Sequence, residues 1–289
     1  MSVLIFGRDG QVGRALAARL PDAIAVGRTE ADFTRPETLA SIVEHHQPSV
    51  IMNAAAYTAV DAAEDDRQTS WTVNAESVEV IGRAAHKNDA LVIHYSTDYV
   101  FDGTASGFQT ETQPTSPASV YGASKLAGEA LLAQTGARHV ILRTSWVYAP
   151  IGKNFALTIL RLAKERDSLT VVADQIGAPT PADLIADVTL KVIADARPGL
   201  YHLAPAGETS WHGYAQYLVA EALAAGAQLR LNPDAIAPIL ASQYPAKAAR
   251  PANSRLDTAR LRATYGLTLP AWQDGVRQLI TTLKQEGRL

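Results

Sequence analysis

The residues with the clearest chemical potential in this sequence are a tyrosine and a lysine spaced i and i+4, Tyr121 and Lys125. At the start of a predicted helix, this spacing puts both side chains on one face, within reach of a common ligand. A phenol with an ordinary pKa of about 10 is a poor proton shuttle at neutral pH. A nearby ammonium and the positive charge of an oxidised redox cofactor both favour the phenolate, so we expect Lys125 and such a cofactor to lower the pKa of Tyr121. In a reduction, Tyr121 would give its proton to a carbonyl oxygen as hydride reaches the carbon.

A tyrosine and lysine at this spacing most often form a structural helix pair, so a second feature is needed. Thr97 lies at the end of a predicted buried strand, in a segment rich in hydroxyl groups. The carboxyl edge of a parallel sheet is where ligands bind in α/β folds. We therefore predict that Thr97 hydrogen-bonds a substrate carbonyl oxygen, and that Thr97, Tyr121 and Lys125 are the catalytic residues.

A glycine-rich loop follows the first predicted strand. Gly7 permits a tight turn, Gly10 lets the backbone approach a pyrophosphate, and Gly13 lets the next helix pack closely on the sheet. The amino end of that helix offers free amides to phosphates. The spacing Gly-x-x-Gly-x-x-Gly resembles that of the short-chain dehydrogenase/reductase superfamily. The sequence therefore predicts a dinucleotide cofactor.

The second predicted strand ends in Gly27, Arg28 and Thr29, with no acidic residue at its tip for a ribose 2′-hydroxyl. A guanidinium in this place suits a 2′-phosphate, which favours NADPH, with NADH as an alternative cofactor. The superfamily resemblance implies further contacts to the adenine and along the third strand. The predicted cofactor-binding residues are Gly7, Asp9, Gly10, Gln11, Val12, Gly13, Arg28, Asp32, Phe33, Ala55, Ala56, Thr58, Tyr121 and Lys125.

Apolar runs alternate with amphipathic segments in the first half of the chain. The periodicity predicts buried strands at 3–7, 23–27, 50–56, 91–97 and 140–148, and helices at 11–20, 36–46, 61–87 and 121–135. Alternating strands and helices imply right-handed crossovers and a parallel sheet covered by helices. We therefore predict an α/β fold, a Rossmann-type doubly wound parallel sheet.

The second half is less regular. It predicts helices at 154–166, 182–196, 214–225 and 272–285, strands at 169–173 and 200–204, and loops or small elements in the proline-rich segment 233–251. We expect a smaller, helix-rich C-terminal substrate lobe. Residues 1–148, with returning segments near 169–190, would form the dinucleotide-binding domain, and residues 149–168 and 199–289 would form most of the lobe.

Composition excludes several classes of function. The 289 residues carry a net charge of −3, which gives no electrostatic reason to expect a nucleic-acid partner. The sequence has no cysteine, which rules out disulfides, thiolate nucleophiles and cysteine-ligated metals. The apolar run at the amino terminus is too short for a signal peptide or a membrane span. We expect a cytoplasmic protein without a membrane partner.

Five longer sequence segments indicate a particular family within this superfamily: residues 53–61, 96–103, 142–148, 174–180 and 250–256. In these segments the chain resembles the dTDP-4-dehydrorhamnose reductases, which belong to the extended short-chain dehydrogenase/reductases, and the resemblance covers nearly the whole length. It implies that NADPH reduces the C4 keto group of dTDP-4-dehydro-L-rhamnose to give dTDP-L-rhamnose. This is the last step of dTDP-rhamnose biosynthesis, which serves cell-surface polysaccharides.

The resemblance also implies roles for individual residues. Val60, Tyr99 and Trp146 would form an apolar wall against the deoxysugar, next to Thr97. Asn154 and Arg255 would face the nucleotide, where a guanidinium can bind a diphosphate in bidentate fashion. The predicted substrate-binding residues are thus Val60, Thr97, Tyr99, Trp146, Asn154 and Arg255.

One departure concerns a metal. Some relatives form magnesium-dependent dimers through glutamates, one of them at the position of Ala15 in this chain, although Asp183 keeps a carboxylate in the later region. We therefore expect no metal, and a monomer or weak homodimer.

Two other classes remain as alternatives. A nucleotide-sugar dehydratase or epimerase would share the loop and the three catalytic residues. By resemblance, however, dehydratases carry an acidic pair after the threonine, and here Asp98 is followed by Tyr99. A regulatory subunit that keeps the fold would have no need of Thr97, Tyr121 and Lys125 together.

Overall fold

A computed structural model describes residues 2–289. Its strands are β1 (Val3–Phe6), β2 (Ile24–Val26), β3 (Val50–Asn53), β4 (Leu91–Thr97), β5 (His139–Thr144), β6 (Val147–Tyr148), β7 (Leu169–Val172), β8 (Ile176–Gly177), β9 (Thr180–Pro181), β10 (Gly199–His202), β11 (Thr209–Ser210) and β12 (Ile236–Ile239). Its helices are α1 (Gln11–Arg19), α2 (Leu39–His46), α3 (Val60–Ala63), α4 (Arg67–Trp71), α5 (Ser77–Lys87), α6 (Val120–Gln134), α7 (Phe155–Glu165), α8 (Ala182–Ala194), α9 (Trp211–Ala224), α10 (Ala259–Tyr265) and α11 (Trp272–Gln285).

The central sheet has six parallel strands in the order β10-β5-β4-β3-β1-β2. Successive side chains of a strand project to opposite faces of the sheet, and here apolar side chains project to both faces. Leu4 and Phe6 pack with α2 and α5 on one face, whereas Val3 and Ile5 pack with α1 and α8 on the other. The predicted doubly wound α/β fold is therefore confirmed. The strand order reverses between β1 and β3, and ligands of such sheets bind at this point.

The segment predicted as one helix at 61–87 is interrupted. It forms α3 and α4, then a π-helical turn at Thr72–Glu76, and finally α5. The π turn carries the buried Asn74, whose side chain bonds both the N–H and the carbonyl of Tyr57 and the hydroxyl of Ser124. Gly128 of α6 lies so close that an added Cβ would stand 2.1 Å from the Asn74 carbonyl oxygen. Tertiary packing thus outweighs the local helical pattern, and the prediction of one continuous helix was wrong.

The strand predicted at 140–148 is also divided. β5 ends at Thr144, and Trp146 adopts a left-handed backbone conformation with φ of 50°. Such a conformation is strained for a bulky residue, and here it turns the chain so that β6 leaves the main sheet and pairs with β9. The bend directs the Trp146 ring toward a second indole, that of Trp211. The two rings stack with 3.7 Å between their centroids.

A second core lies under α7, α9 and α11, and it contains Tyr148, Tyr214 and Trp272. β12 belongs to this lobe and pairs with β7, and it is one of the small elements that the sequence allowed within 233–251. Two segments lie elsewhere than expected. Residues 169–172 belong to the lobe, whereas residues 199–202 form the edge strand of the main sheet. The division 1–148 with 169–190, and 149–168 with 199–289, remains a prediction in outline.

Candidate functional site

A cleft runs along the carboxyl ends of β1, β3 and β4. It consists of two cavities, of about 340 and 550 Å³, which share Asp9, Gly10 and the segment 54–56 as lining. Most of the predicted cofactor residues line one or both cavities: Gly7, Asp9, Gly10, Gln11, Val12, Arg28, Asp32, Phe33, Ala55, Ala56, Thr58, Tyr121 and Lys125. The structure therefore brings together side chains from four separate segments of the sequence.

The glycine loop has the geometry that a pyrophosphate requires. Gly7 has φ of +85°, and a Cβ there would stand 2.6 Å from the backbone nitrogen of Ala55. A Cβ on Gly13 would stand 2.0 Å from the Gly7 carbonyl oxygen, so Gly13 serves the packing of α1 and not the cavity. Gly10 precedes α1, lines both cavities, and supplies no side-chain cap to the first amides of that helix. Uncapped amides at a helix start suit phosphate oxygens, so these residues fit a dinucleotide.

The smaller cavity carries the features expected for the adenosine end. Arg28 is exposed at its rim, and Asp32 is held in a turn by hydrogen bonds from the backbone N–H and the hydroxyl of Thr34. Phe33 lies in the wall and packs edge-to-face on Phe6, with 5.5 Å between ring centroids. Phe6 of β1 thus holds the Phe33 ring in the same cavity wall that carries the exposed guanidinium of Arg28.

An acidic group, Glu30, does lie close to the tip of β2, but it is bound by the protein's own donors. The chain turns back after Thr29, and the Glu30 carboxylate accepts hydrogen bonds from the backbone N–H of Gly27 and from the Thr29 hydroxyl. These two bonds, with the guanidinium of Arg8 at 2.9 Å, hold the pKa of Glu30 below its usual value. Three donors already occupy this carboxylate. Among the described residues that line the cavity, Arg28 is the one with a positively charged side chain.

Thr97, Tyr121 and Lys125 line the larger cavity together. Thr97 ends β4, and its hydroxyl donates to the Asp98 carboxylate at 3.2 Å. Tyr121 and Lys125 lie one turn apart on α6, whose start is capped by the side-chain oxygen of Ser119. The end of β4 and the start of α6 meet here because, in a parallel sheet, the carboxyl ends of the strands and the starts of the helices that follow them lie at the same edge.

The charge state of Tyr121 differs from the expectation. Burial raises the pKa of Tyr121 to about 12, and a hydrogen bond with Thr97 offsets part of the increase. The predicted lowering by Lys125 does not occur with the contacts observed here, in which the Lys125 Nζ donates to the carbonyl oxygen of Tyr95 at 2.6 Å. Tyr121 is therefore a neutral phenol near pH 7, which is the form that can donate a proton.

The surroundings of Lys125 include two residues that the sequence reasoning missed. Burial lowers the pKa of Lys125 to about 8, against an opposing effect of the Glu129 carboxylate. His94 and Asn53, both buried, lie behind it in the sheet. Polar residues inside the apolar runs of β3 and β4 were the available signal, since buried polar groups require partners.

An aromatic wall adjoins the catalytic residues in the larger cavity. Val60, Tyr99 and Trp146 all contribute to its lining, as the substrate prediction requires. Tyr99 packs edge-to-face on Tyr121, with 5.5 Å between ring centroids. The result is a polar floor beside an apolar wall, an arrangement suited to a ligand with both a carbonyl and a methyl group.

Comparisons with known proteins agree with this geometry. The profile of a family described as RmlD substrate binding domain matches residues 1–285. A dTDP-4-dehydrorhamnose reductase of Burkholderia thailandensis is 49% identical, over 96% of this chain and 97% of its own length. This chain belongs to the dTDP-4-dehydrorhamnose reductase family. The Escherichia coli K12 reductase is 48% identical over 98% of each chain. A crystal structure of the Bacillus anthracis reductase in complex with NADP matches with a TM-score of 0.92, at 33% identity, over 98% of this chain and 100% of that one.

Two residues expected to meet the nucleotide have other partners in this member of the dTDP-4-dehydrorhamnose reductase family. Among the described residues that line the two cavities, Asn154 and Arg255 are not found. Asn154 caps α7 and donates to the side-chain oxygen of Gln11, which does line the cleft. The Arg255 guanidinium donates to the Asn253 side-chain oxygen at 2.8 Å. Direct contact of either residue with the nucleotide remains a prediction.

The region that holds the magnesium-binding glutamates in some dTDP-4-dehydrorhamnose reductases contains an ion-pair network here. Ala15 lies on α1, and Arg19 one turn later donates to Asp183 at 2.8 Å and to Asp187 at 2.5 Å. The guanidinium thus joins α1 to α8 and occupies the Asp183 carboxylate. Within residues 2–289 we find no cluster of three or more metal-ligating side chains. A protein without a metal remains our prediction.

Proposed function

We propose that this protein uses NADPH to reduce the C4 keto group of dTDP-4-dehydro-L-rhamnose to dTDP-L-rhamnose. The observation that carries the proposal is the meeting of Thr97, Tyr121 and Lys125 in one cavity, between the glycine loop and the aromatic wall. Membership of the reductase family supports the substrate. The solved relative in complex with NADP supports the cofactor.

The roles of the side chains follow from their protonation and contacts. A bound NADPH would supply the hydride for C4, and the protein's own residues hold the substrate and deliver a proton. The neutral phenol of Tyr121 donates that proton to the carbonyl oxygen, which becomes the product hydroxyl. Thr97 donates to the same oxygen. Its single O–H donates to the Asp98 carboxylate in the free protein, so it must turn from Asp98 to the substrate when the substrate binds. Val60, Tyr99 and Trp146 pack against the 6-methyl face of the sugar.

The preference for NADPH is assigned to Arg28. Arg28→Ala should raise the KM for NADPH by about tenfold, because a charge-assisted bond to the 2′-phosphate is worth roughly 1.4 kcal/mol or more. The KM for NADH should change little, since NADH has no group for the guanidinium. Steady-state kinetics with both cofactors measures the effect. Arg35→Ala, which removes an exposed arginine from the same region, is the matched control. An equal increase in KM for both cofactors would contradict the assignment.

Oxidation of NADPH with freshly generated dTDP-4-dehydro-L-rhamnose, in the presence of EDTA, tests the function itself. We expect rapid oxidation and dTDP-L-rhamnose as product, with no requirement for added magnesium. Bound NADPH without oxidation would point to a different keto sugar or to a regulatory subunit. Activity that EDTA abolishes and magnesium restores would contradict the metal-free prediction.

The remaining expectations concern partners and location. We propose a nucleotide sugar as the only substrate class, a monomer or weak homodimer, and a cytoplasmic location. No helix between residues 2 and 289 combines the length and the hydropathy needed to cross a bilayer. Fractionation of cells that express the protein tests the proposed cytoplasmic location.

A further inference from the structure

A chain of buried polar groups runs behind the catalytic lysine. It begins at the backbone N–H of Ala55, passes through the side chains of Asn53 and His94, and ends at Lys125 and the Tyr95 carbonyl. Asn53, His94 and Lys125 are at most 2% exposed. Ala55 lines the proposed cofactor cavity and Lys125 lines the proposed substrate cavity, so this series of hydrogen-bonded groups joins the two halves of the cleft.

The direction of these hydrogen bonds can be worked out from one end. The N–H of Ala55 can only donate, so the Asn53 side-chain atom at 3.2 Å from it is the oxygen. The Asn53 amide nitrogen then faces the Nδ1 of His94, also at 3.2 Å, and this ring nitrogen must accept. Burial holds the pKa of His94 well below its usual value, so the ring is neutral. A neutral ring that accepts at Nδ1 carries its hydrogen on Nε2.

The Nε2–H group of His94 faces the Nζ of Lys125 at 3.2 Å. An ammonium has three donors and no acceptor, so it cannot take a hydrogen bond from this group. A neutral amine has one lone pair that can accept from His94, while its own N–H donates to the Tyr95 carbonyl oxygen at 2.6 Å. The observed contacts are therefore those of neutral Lys125.

We infer that His94 is a positioning residue that holds Lys125 as a neutral amine at the back of the cavity, and that protonation of Lys125 breaks this bond and frees its ammonium to enter the cavity. The inference deepens the proposed function, because it assigns the pH at which Lys125 becomes available there. Burial lowers the pKa of Lys125 to about 8. Below that pH the ammonium form prevails, and above it the amine bound to His94 prevails.

Other charged groups near Lys125 act in known directions. Glu129, one turn further along α6, favours the ammonium, but Arg143 pairs with this carboxylate and weakens its effect. His139 lies near His94 and further disfavours a charge on that ring. Neither Glu129 nor His139 supplies a hydrogen bond to the Nζ of Lys125, so the switch between its two forms depends on His94.

NMR of the protein labelled with 15N-histidine tests the inference without any enzymatic assay. The signal of His94, assigned by its loss in His94→Gln, should show the neutral tautomer with hydrogen on Nε2 from pH 6 to pH 9. Its Nε2 shift should change with a midpoint of about 8, and this step should be absent in Lys125→Met. A hydrogen on Nδ1 would overturn the inference, because Nε2 would then accept from the ammonium.

Kinetics provide a second test that depends on the proposed function. A hydrogen bond to the neutral form of an amine lowers its pKa, so loss of the His94 donor should raise the pKa of Lys125. In His94→Gln the alkaline limb of kcat/KM should therefore move upward by about one pH unit. His139→Gln, which keeps His94, is the control and should leave the limb in place. An unmoved limb in a folded His94→Gln protein would refute the link between His94 and Lys125. If the chain shows no reductase activity, the tautomer measurement still decides the inference.

Discussion

Tyr121→Phe should lower kcat by about 10²- to 10⁴-fold, while the dissociation constant for NADPH stays close to that of the unaltered protein. The phenol lies beside Thr97 and lines the larger cavity, and phenylalanine has no O–H group to donate the proton from that position. The ring itself packs on Tyr99 and is retained in phenylalanine. The substitution should therefore slow hydride transfer while it leaves the affinity for NADPH nearly unchanged. Stopped-flow measurement of hydride transfer, with fluorescence titration of NADPH, checks both halves of the expectation.

The neighbouring Tyr99→Phe is the matched control. Tyr99 lines the same cavity and its pKa is likewise raised by burial, but it belongs to the wall that we propose to contact the sugar. Its loss should alter KM more than kcat, because it would remove a binding contact and not the proton donor. If Tyr121→Phe kept more than a tenth of the original kcat, Tyr121 would not be the donor, and Thr97 would become the first candidate.

The pH dependence follows from the same pKa values. Burial raises the pKa of Tyr121 to about 12, so the phenol stays protonated throughout the range in which the protein can be assayed. An alkaline limb near pH 8 therefore belongs to Lys125, whose pKa is lowered to about 8. These two residues are adjacent on one helix face, yet burial moves both toward their neutral forms.

The sequence predicted those features of the site that depend on local rules. The turn at Gly7, the close packing at Gly13, and the one-turn spacing of Tyr121 and Lys125 each follow from backbone geometry within a short segment. The alternation of strands and helices then predicts the parallel sheet and the edge at which they meet. For this reason the fold class and most of the residues that line the cleft could be predicted.

The features that the sequence did not predict depend on contacts between distant segments. The expectation for the pKa of Tyr121 assumed a free ammonium nearby, but Lys125 bonds the carbonyl oxygen of Tyr95 from β4. The π turn follows from the contact between Asn74 and α6, and the bend at Trp146 from the pairing of β6 with β9. Local periodicity carries no information about such partners, because each one belongs to another part of the chain.

We expect loss of either partner of the ion pair between Glu129 and Arg143 to cause a large loss in the free energy of unfolding. Glu129 lies on α6 one turn after Lys125, and Arg143 lies on β5 of the sheet below. Two hydrogen bonds of 2.9 and 2.6 Å join the side chains, which are only 7% and 4% exposed. Such a pair costs desolvation energy when it forms, but loss of one partner leaves an unpaired buried charge. We therefore expect Arg143→Met to lower the free energy of unfolding by about 3–5 kcal/mol.

A double-mutant cycle separates this effect from loss of packing. Arg143 also lies over the ring of Phe101, 5.2 Å from its centroid, so its methylene groups and guanidinium both contribute contacts. Glu129→Leu should destabilise the protein to a similar extent as Arg143→Met, because each change isolates one charge. The double variant should regain most of the loss, since two apolar side chains of similar size leave no charge to desolvate. Urea unfolding of the four proteins, monitored by circular dichroism, measures the coupling. Additive losses would mean that the two side chains act through packing and that α6 does not depend on their charges for its position.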